Sequence, residues 1–368
     1  MISFGLSEEQ EIAREAMGDF AKDMIRPQAR DYDEEAKVPR DFLQEIWQLG
    51  LTSTQIPESY GGGGEENSPV MNVILLEELG HGDVTLALAA LSPSLFVKPI
   101  AEQGTEDQKA AYLPAFCGEQ FQAGSLALIE PGPVFDPAAL QTVASRSGDT
   151  YVLNGRKTFV PLANDASHFL VVAAIANGDD GERGAFIVPR EASGLSISEV
   201  ERNLGLRALS SHGLTLEGVE VSASDRLGGD GGCDVQRIVN LSRTALGALM
   251  VGLSRAAMEY AIPYAKDRVA FGEPIAQKQA VAFMLSDMRV EIDSMRWLVW
   301  KAASQLEEGA DATRASHFVR FYCAEQSMKI ADNGVQVLGG HGFVRDHPVE
   351  MWYRNARTLG VLEGTAAI

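Results

Sequence analysis

The sequence contains few of the residues that usually build metal or redox sites. Among its 368 residues there are three cysteines and six histidines. The cysteines, Cys117, Cys233 and Cys323, are odd in number and include no CxxC pair. Only His341 and His347 lie near each other, and no HExxH motif is present. Because zinc sites need closely spaced ligands, we predict no metal centre, and we expect the cysteines to be buried thiols in a reducing cytoplasm.

Positive charge is also scarce. The chain has 31 lysines and arginines against 51 aspartates and glutamates, which leaves a net charge of −20 and a pI near 4.7. Such a surface repels phosphate groups, so general binding to nucleic acid or to an anionic membrane is not expected. We interpret most of these acidic residues as a solvated surface.

Long apolar runs are missing as well. The stretches 169–176 and 244–253 are about half as long as the roughly 20 residues that span a membrane. The first amphipathic segment, from Leu6 to Ile25, carries acids throughout, unlike a signal or transit peptide. We therefore predict no membrane span and a cytoplasmic location.

Three familiar nucleotide and hydrolase motifs are absent. No GxSxG sequence is present, which disfavours an α/β-hydrolase. The Gly61–Gly64 run lacks the Lys-Ser or Lys-Thr pair of a phosphate-binding loop. The glycines in 338–342 follow a helical pattern, whereas a nicotinamide-binding fingerprint follows a strand. Taken alone, these glycines indicate only the end of a helix.

What the chain does contain is a succession of hydrophobic patterns. Its length exceeds that of a single core, so several domains are expected. In the first hundred or so residues apolar side chains recur at helical spacing, and Ser7–Gln10 and Thr105–Gln108 match capping boxes. Pro27 is expected to end the first helix. We predict an N-terminal α-helical domain over residues 1–118.

Short β-rich runs replace the helical pattern from about residue 119. They lie at 121–129, 151–153, 156–160, 169–174, 185–188 and 213–221. Asn154-Gly155 predicts a hairpin between two of them, because both residues tolerate positive φ. Short strands at this spacing predict a small antiparallel barrel or sandwich over residues 119–229.

Helical periodicity returns after residue 230 and persists over long segments. These segments lie at about 235–268, 277–307 and 313–338. Helices of this length suit an antiparallel arrangement, so we predict a C-terminal four-helix bundle over residues 230–368. The predicted fold class is therefore α+β and multidomain.

Several short motifs, taken in order, resemble those of the acyl-CoA dehydrogenase family. In the C-terminal part they are Tyr264 to Gly272 with Gln279 downstream, Gln336 to Gly340 (Gln-Val-Leu-Gly-Gly) and Leu362 to Thr365 (Leu-Glu-Gly-Thr). Upstream they include Pro57 to Gly62, Gly104 to Lys109 and Glu130-Pro131-Gly132. Each motif is weak alone, but the resemblance covers nearly the whole chain at compatible spacing. It implies an FAD-dependent flavoprotein.

The resemblance implies a set of FAD contacts. The residues concerned are Ile129, Phe159, Pro161, Arg268, Phe271, Gln279, Gln336, Gly339, Gly340 and Thr365. Arg268 would place its guanidinium on the pyrophosphate, often from the neighbouring subunit, and Gly339 and Gly340 would let backbone amides approach the phosphates. Phe271 would anchor its loop, and Thr365 would donate a hydroxyl. The resemblance also implies a homodimer or homotetramer.

Glu363 matches the catalytic base of that family. Removing the α-proton of an acyl thioester needs a carboxylate in a dry pocket. The resemblance also places Arg243 at the catalytic site. Ser242 stands where some relatives carry a second base, and a serine cannot serve as one. The substrate contacts that the resemblance implies are Phe135, Asn240, Arg243 and Gly364.

The sequence departs from the family pattern in one cluster. Two hydroxyl residues expected near the flavin ring are replaced by Ile129 and Pro161, and the ring-packing tryptophan is replaced by Phe159. Phe135 replaces a serine near the substrate. These changes remove hydrogen-bond donors from the expected flavin site. They predict altered flavin reactivity and a reshaped acyl pocket.

Three functions are consistent with the resemblance. The leading one is α,β-dehydrogenation of an acyl-CoA, with Glu363 as the base and electrons passed to an electron-transfer flavoprotein or a similar acceptor. The alternative is a weakly active or non-catalytic subunit of a hetero-oligomer, which the altered ring contacts favour. The third is a flavin monooxygenase or oxidase on the same fold, although that group typically does not need the Glu363 turn.

Overall fold

The N-terminal part of the chain is helical in the computed structural model, as the periodicity predicts. The structure describes residues 5–64, 68–176, 178 and 181–368. The first seven helices are α1 Glu8–Phe20, α2 Arg26–Glu35, α3 Arg40–Trp47, α4 Pro69–Gly82, α5 Val84–Leu91, α6 Ser94–Gln103 and α7 Glu106–Tyr112. The capping boxes predicted at Ser7 and Thr105 are confirmed. In each box the cap hydroxyl and the glutamine side chain exchange hydrogen bonds with backbone N–H groups.

The prediction that Pro27 ends the first helix is wrong. A π-helical turn, Ala21–Ile25, joins α1 to α2, and helical backbone continues to Glu35. At the end of this turn the Arg26 N–H bonds back to the Ala21 carbonyl, five residues earlier. Pro27 lies in the first turn of α2, directly after the wide turn, which allows the helical backbone to continue past it.

A seven-stranded sheet follows the helices. Its strands are β1 Ala123–Ala127, β2 Val143–Ser147, β3 Thr150–Pro161, β4 Ala166–Ile175, β5 Arg183–Pro189, β6 Leu195–Val200 and β7 Ser211–Ser222. The strand order is β1-β4-β2-β3-β7-β6, with β5 paired to β4. Among the described pairs most are antiparallel, but β1 and β2 both pair with β4 in parallel. The sheet is therefore mixed. The long crossover from β1 to β4 contains β2 and β3 and carries no turn motif that reveals the strand direction.

The hairpin predicted at Asn154-Gly155 is a β-bulge inside one long strand. β3 runs through both residues, and its register against β7 shifts between Leu153 and Gly155. Gly155 has φ 152°. A glycine within a strand pattern indicates a bulge as readily as a turn. The hairpin lies earlier in the chain, where Gly148 and Asp149 connect β2 to β3.

Four helices form the C-terminal bundle, as predicted. They are α8 Val235–Asp267, α9 Gln279–Glu307, α10 Thr313–Leu338 and α11 Val349–Leu359, and a short hairpin of β8 Val269–Ala270 and β9 Glu273–Pro274 joins α8 to α9. α8 is the central helix and packs against α4, α9 and α10. By length and composition α8 could cross a membrane, as could the bent pair α5–α6. However, 78% of the most apolar stretch of α8 is buried inside the fold, as expected of a core helix.

All three parts of the chain meet at α11. The loop between β6 and β7 lies so close to this helix that a Cβ on Gly205 would sit 2.2 Å from the Arg354 carbonyl oxygen. The N–H of Leu206 donates to Asn355 Oδ1 at 2.7 Å. Arg354 also pairs with Asp33 of α2 at 2.6 Å. These contacts hold α11 against the sheet and against α2, and α11 leads directly to the turn at residue 363.

Candidate active site

The residues that follow α11 form a tight, buried turn. Glu363 lies inside the protein, so it is not a surface acid at the end of a helix. Gly364 has φ +66°, a conformation that favours glycine. A Cβ on Gly364 would lie 2.8 Å from the Leu128 Cδ2 atom. The turn therefore packs directly against the residues that follow β1, and a larger residue at 364 would clash there.

Two arginines from different helices surround the Glu363 carboxylate. From α8, Arg243 Nε lies 3.1 Å from both carboxylate oxygens, and its Nη2 lies 3.0 Å from Oε1. From α10, Arg320 Nε lies 3.3 Å from Oε1 and forms an ion pair without an aligned hydrogen bond. The three side chains are only 8–12% exposed. With little water between them, these charges interact more strongly than a surface pair would.

Arg320 is a site residue that the sequence analysis missed. The spacing of α10 held an indication, because Ser316, Arg320 and Cys323 lie on one face of the helix. Ser316 Oγ donates to Asn240 on α8 at 2.8 Å, and Cys323 is fully buried. A charged residue among buried neighbours usually has a buried partner. Which carboxylate that partner would be became visible only in the structure.

Ser242, which cannot act as a base, holds the backbone of the turn at residues 363–364. Its Oγ accepts a hydrogen bond from the Gly364 N–H at 2.8 Å, and the side chain is buried. Two neighbouring residues of α8 thus hold the same turn. Ser242 contacts its backbone and Arg243 contacts the Glu363 side chain.

The three residues predicted to contact the flavin ring lie beside this turn. Ile129 directly follows Leu128, and its carbonyl accepts the Thr158 N–H at 2.9 Å. This bond brings the end of β3, with Phe159 and Pro161, alongside Ile129. All three residues are buried. The structure therefore places Ile129, Phe159 and Pro161 together, and none of these three side chains carries a hydrogen-bond donor.

Phe159 has an unusual backbone conformation that a second missed residue supports. Its φ is 54°, which costs a non-glycine residue roughly 1–2 kcal/mol. The Glu201 carboxylate accepts the Phe159 N–H at 3.0 Å and the Ser211 hydroxyl at 3.3 Å, and it also accepts the Thr158 hydroxyl. These bonds hold the strand end that presents Phe159.

Glu130, from the Glu-Pro-Gly motif, anchors the loop after β1. Its carboxylate accepts the backbone N–H groups of Gln141 at 2.6 Å and Thr142 at 2.8 Å, and Lys157 Nζ at 2.8 Å. Burial lowers the pKa of Lys157 to about 8, and the charge of Glu130 opposes this shift. Because its oxygens are engaged within the fold, Glu130 shapes the loop that carries Ile129.

A cleft of about 320 Å³ opens one helical turn before Arg243. Its lining includes Asp234, Gln236, Arg237, Asn240, Leu306 and Thr313. Asn240 is mostly buried there, with its side chain bonded to Ser316 and Thr313. Phe135 is half-buried in the loop between β1 and β2 and packs against the hydrophobic core. Of the predicted substrate contacts, Asn240 thus lies on α8, the helix that carries Arg243, and Phe135 lies in the loop that follows β1.

The remaining predicted FAD contacts lie at the other end of α8 and at the end of α10. These exposed residues, which we call the phosphate-side residues, are Arg268, Phe271, Gln279, Gln336, Gly339 and Gly340. Tyr264 ties the two helix ends together, because its hydroxyl donates to the Leu338 carbonyl at 3.2 Å. Phe271 is 96% exposed at the tip of the β8–β9 hairpin, so within this chain it does not anchor the loop in a core.

The residues present fit FAD. Thr365 Oγ1 is buried and makes no hydrogen bond in the described structure, a state that costs about 1–3 kcal/mol and that a ligand acceptor would relieve. Nothing lies within 4 Å of a Cβ built on Gly339 or Gly340, which leaves room for phosphates to reach backbone N–H groups. The fold and the site together define the class: a three-domain flavoprotein oxidoreductase.

Comparison with known proteins identifies the family within this class. The chain matches the acyl-CoA dehydrogenase N-terminal domain over residues 7–120, the middle domain over 125–219 and the C-terminal domain over 229–368. It belongs to the acyl-CoA dehydrogenase family, whose members are FAD-dependent enzymes. The predicted family, fold class and cofactor are confirmed.

Relatives match along their whole length. The chain is 33% identical over 374 residues to the short-chain specific acyl-CoA dehydrogenase of Clostridium acetobutylicum, covering 100% of this chain and 97% of the relative. It is 33% identical over 372 residues to the caffeyl-CoA reductase-Etf complex subunit CarC of Acetobacterium woodii, covering 98% and 96%. The structure of butyryl-CoA dehydrogenase from Megasphaera elsdenii superposes with a TM-score of 0.88 at 27% identity, covering 100% and 96%.

Proposed function

We propose that the protein catalyses the α,β-dehydrogenation of an acyl-CoA thioester. Glu363 takes the α-proton, and the β-hydrogen leaves with its electron pair, so that a carbon–carbon double bond forms next to the thioester. FAD, when bound, supplies the hydride acceptor at its N5 atom. The observation that carries this proposal is the buried Glu363 carboxylate beside the apolar ring contacts and the unpartnered Thr365 hydroxyl.

Arg243 is proposed as the charge partner of the base. Its Nε and Nη2 donors, at 3.0–3.1 Å, hold the carboxylate in one orientation before substrate enters. When the proton moves to Glu363, negative charge moves toward the thioester oxygen. The Arg243 cation stays beside Glu363, so the proton moves to a carboxylate whose orientation and surrounding positive charge are already organised.

We propose that each FAD site is built from two subunits. Arg243, beside the base, and Asp267, at the end of α8, are 24 residues apart on one helix. At 1.5 Å per residue this is about 36 Å along the axis. A single FAD molecule is too short to reach from the ring contacts to the phosphate-side residues of the same chain. A second copy can bring its own phosphate-side residues close to the ring contacts of the first copy.

An exposed apolar stripe on the bundle supports this assembly. Phe283, Val290 and Trp297 recur at seven-residue spacing on α9, and all three are exposed. Phe318 and Phe321 on α10 add to the exposed apolar surface of the bundle. Several large apolar side chains exposed on two helices of one bundle favour a protein–protein contact there. We therefore propose a homodimer or homotetramer that buries the stripe.

The proposed electron acceptor is an electron-transfer flavoprotein or a similar protein. The relative CarC is by its name a subunit of a caffeyl-CoA reductase-Etf complex, which supports this choice.

We also propose domain boundaries near residues 118 and 229. The end of α7 at Tyr112, the start of β1 at Ala123 and the start of α8 at Val235 support them. A cytoplasmic location stays a prediction.

A second candidate function is a weakly active or non-catalytic subunit that works with a related partner chain. The apolar ring surface favours it, because Ile129 and Pro161 offer no donor to the flavin. A lost hydrogen bond of this kind is worth about 0.5–1.5 kcal/mol, roughly a factor of two to ten in rate. Under the leading proposal, the loss of these donors should slow flavin reduction by every acyl-CoA, and the bulk of Phe135 near the predicted substrate site should make straight-chain acyl-CoAs slow substrates.

The test is anaerobic bleaching of the visible flavin band by a panel of acyl-CoAs. The purified FAD-loaded protein is mixed with butyryl-, octanoyl-, isovaleryl- and 3-phenylpropionyl-CoA. We expect at least one of them to reduce the flavin, with the straight-chain thioesters slower. Glu363→Gln should remove this bleaching while FAD stays bound, because the amide keeps the shape but takes no proton.

Glu325→Gln is the matched control, since Glu325 is an exposed carboxylate on α10. It should bleach like the wild type. Bleaching by Glu363→Gln at the wild-type rate would place the base elsewhere. No bleaching of the wild type by any acyl-CoA, with activity appearing only when a related chain is added, would favour the second candidate.

A further inference from the structure

The two oxygens of the Glu363 carboxylate receive unequal numbers of hydrogen bonds and ion pairs. Oε1 receives the Arg243 Nη2–H at 3.0 Å and Nε–H at 3.1 Å, and the Arg320 cation lies 3.3 Å away. Oε2 receives only a share of the Arg243 Nε–H at 3.1 Å. A carboxylate oxygen accepts a proton through a lone pair that is not already bonded. Oε2 is therefore the oxygen that is ready to receive one.

Arg320, on α10, adds to this difference, which Arg243 on α8 begins by giving Oε1 the larger share of its donors. Its ion pair with Glu363 is the one that the described part of the chain provides for it. Burial lowers the pKa of Arg320, and the Glu363 charge opposes that shift. A buried guanidinium with this single acidic partner is tied to the position of the carboxylate. Its effect on the fold and its effect on Glu363 can therefore be separated by experiment.

The backbone of the turn is held independently of both arginines. Ser242 Oγ accepts the Gly364 N–H at 2.8 Å, and Leu128 closes the other side of Gly364. The turn therefore stays in place when Arg320 is altered. What changes is the freedom of the Glu363 side chain to rotate and exchange its two oxygens.

We propose that Arg320 is a positioning residue for the base, which engages Oε1 so that Oε2 faces the substrate α-carbon. This inference rests on the proposed dehydrogenation. In that step the α C–H bond breaks, its electron pair stays on carbon, and the proton goes to Oε2. Arg320 does not touch the reacting atoms. It determines which oxygen meets them.

The experiment compares Arg320→Met, Arg320→Lys and wild type as FAD-loaded proteins. The first readout needs no turnover: a water-soluble carbodiimide with glycine ethyl ester labels accessible carboxyls, and mass spectrometry measures labelling of the peptide that contains Glu363. We expect Arg320→Met to raise this labelling several-fold. Arg320→Lys keeps the positive charge and should restore part of the protection.

The second readout is the rate of flavin bleaching by butyryl-CoA and by 3-phenylpropionyl-CoA. We expect Arg320→Met to slow it by about ten- to a hundredfold, as a displacement of about 1 Å can do, with FAD affinity unchanged. Lys329→Met is the matched control. It removes a positive charge from an exposed position on the same helix and should change neither readout.

Unchanged labelling of Glu363 in Arg320→Met would overturn the inference, whatever the rates. Equal labelling in Arg320→Lys and Arg320→Met would also overturn it, because charge would then not be what holds the carboxylate. If no acyl-CoA bleaches the wild type, the proposed function fails. The labelling result still decides whether Arg320 holds Glu363.

Discussion

At the scale of single residues, this structure shows side chains whose roles depend on neighbours remote in sequence. Arg243 lies 120 residues before Glu363, yet its guanidinium bonds to both carboxylate oxygens. Ser242, beside it, supports the same turn from a position that some relatives use for a base. The chemistry of each residue is visible in the sequence, but the partner that gives it a role is not.

Asp83, at the start of α5, is another buried carboxyl. Its Oδ1 accepts the N–H groups of Thr85 at 2.8 Å and Leu86 at 2.9 Å, and its Oδ2 makes no hydrogen bond in the described structure. Burial raises the pKa of Asp83 from 3.8 to about 6. The two backbone donors oppose this rise, and the charge of Asp33 adds to it. The folded protein therefore keeps this proton at a pH where the unfolded chain has lost it.

The contribution of Asp83 to stability should consequently fall as pH rises through this interval. This contribution to the free energy of unfolding decreases between about pH 4 and about pH 6, by roughly 3 kcal/mol for a shift of this size. Asp83→Asn keeps the oxygen acceptor and carries no charge, so it should become more stable relative to wild type over the same interval. Thermal unfolding from about pH 4.5 to about pH 7.5 measures this. Asp287→Asn, at an exposed position, is the control. A difference in Tm between Asp83→Asn and wild type that does not change with pH would contradict the prediction.

At the scale of elements, the position of α11 decides where Glu363, the proposed base, lies. The β6–β7 loop contacts this helix through backbone groups, with the Gly205 N–H donating to Thr358 Oγ1 at 2.9 Å and the Leu206 N–H donating to Asn355 Oδ1 at 2.7 Å. Only a residue without a Cβ allows this approach. The sheet is thus part of the mechanism that positions Glu363.

Gly205→Ala should therefore impair catalysis from a distance. The new Cβ would lie 2.2 Å from the Arg354 carbonyl oxygen and 2.3 Å from its carbon, so either the loop or α11 must move. We expect a loss of roughly 1–3 kcal/mol in stability, and slower bleaching with FAD still bound. Gly118→Ala is the control, because nothing lies within 4 Å of its Cβ and its φ is −76°. If both variants match wild type in Tm and bleaching rate, α11 does not depend on this contact.

At the scale of the whole molecule, the two groups of predicted FAD contacts face different surroundings. The ring contacts are buried beside Glu363, whereas the phosphate-side residues are exposed at the end of the bundle. The exposed stripe of α9 gives the bundle a surface for a second copy. A shared site of this kind predicts that defects in the two groups can complement each other.

Co-expression of Glu363→Gln with Arg268→Met tests this. Each homodimer should be inactive or weak. A heterodimer, however, contains one site with an intact base from one chain and intact phosphate-side residues from the other. Random pairing of a two-fold dimer should then restore about one quarter of the wild-type bleaching. Glu363→Gln with Arg243→Met, two defects of the same group, should not complement. Absence of recovery in the first pair would show that each chain holds FAD alone.

Much of the fold could be predicted because its causes are local. The caps at Ser7 and Thr105 and the long helices of the bundle depend on residues within a few positions of each other. The errors at Pro27 and Gly155 have a common cause. Each residue interrupts a regular element in isolation, but here a π turn and a β-bulge absorb the interruption.

The sequence by itself determined the order of the helical and sheet parts and the family, and it predicted Glu363 and Arg243 as site residues. Only the tertiary structure decided which charges meet. It brought Arg320 to Oε1 of Glu363, Glu201 to the backbone of Phe159, and Gly205 against α11. Such contacts join residues tens to hundreds of positions apart, and they arise from helix and sheet packing. No local pattern of hydrophobicity or capping contains that information.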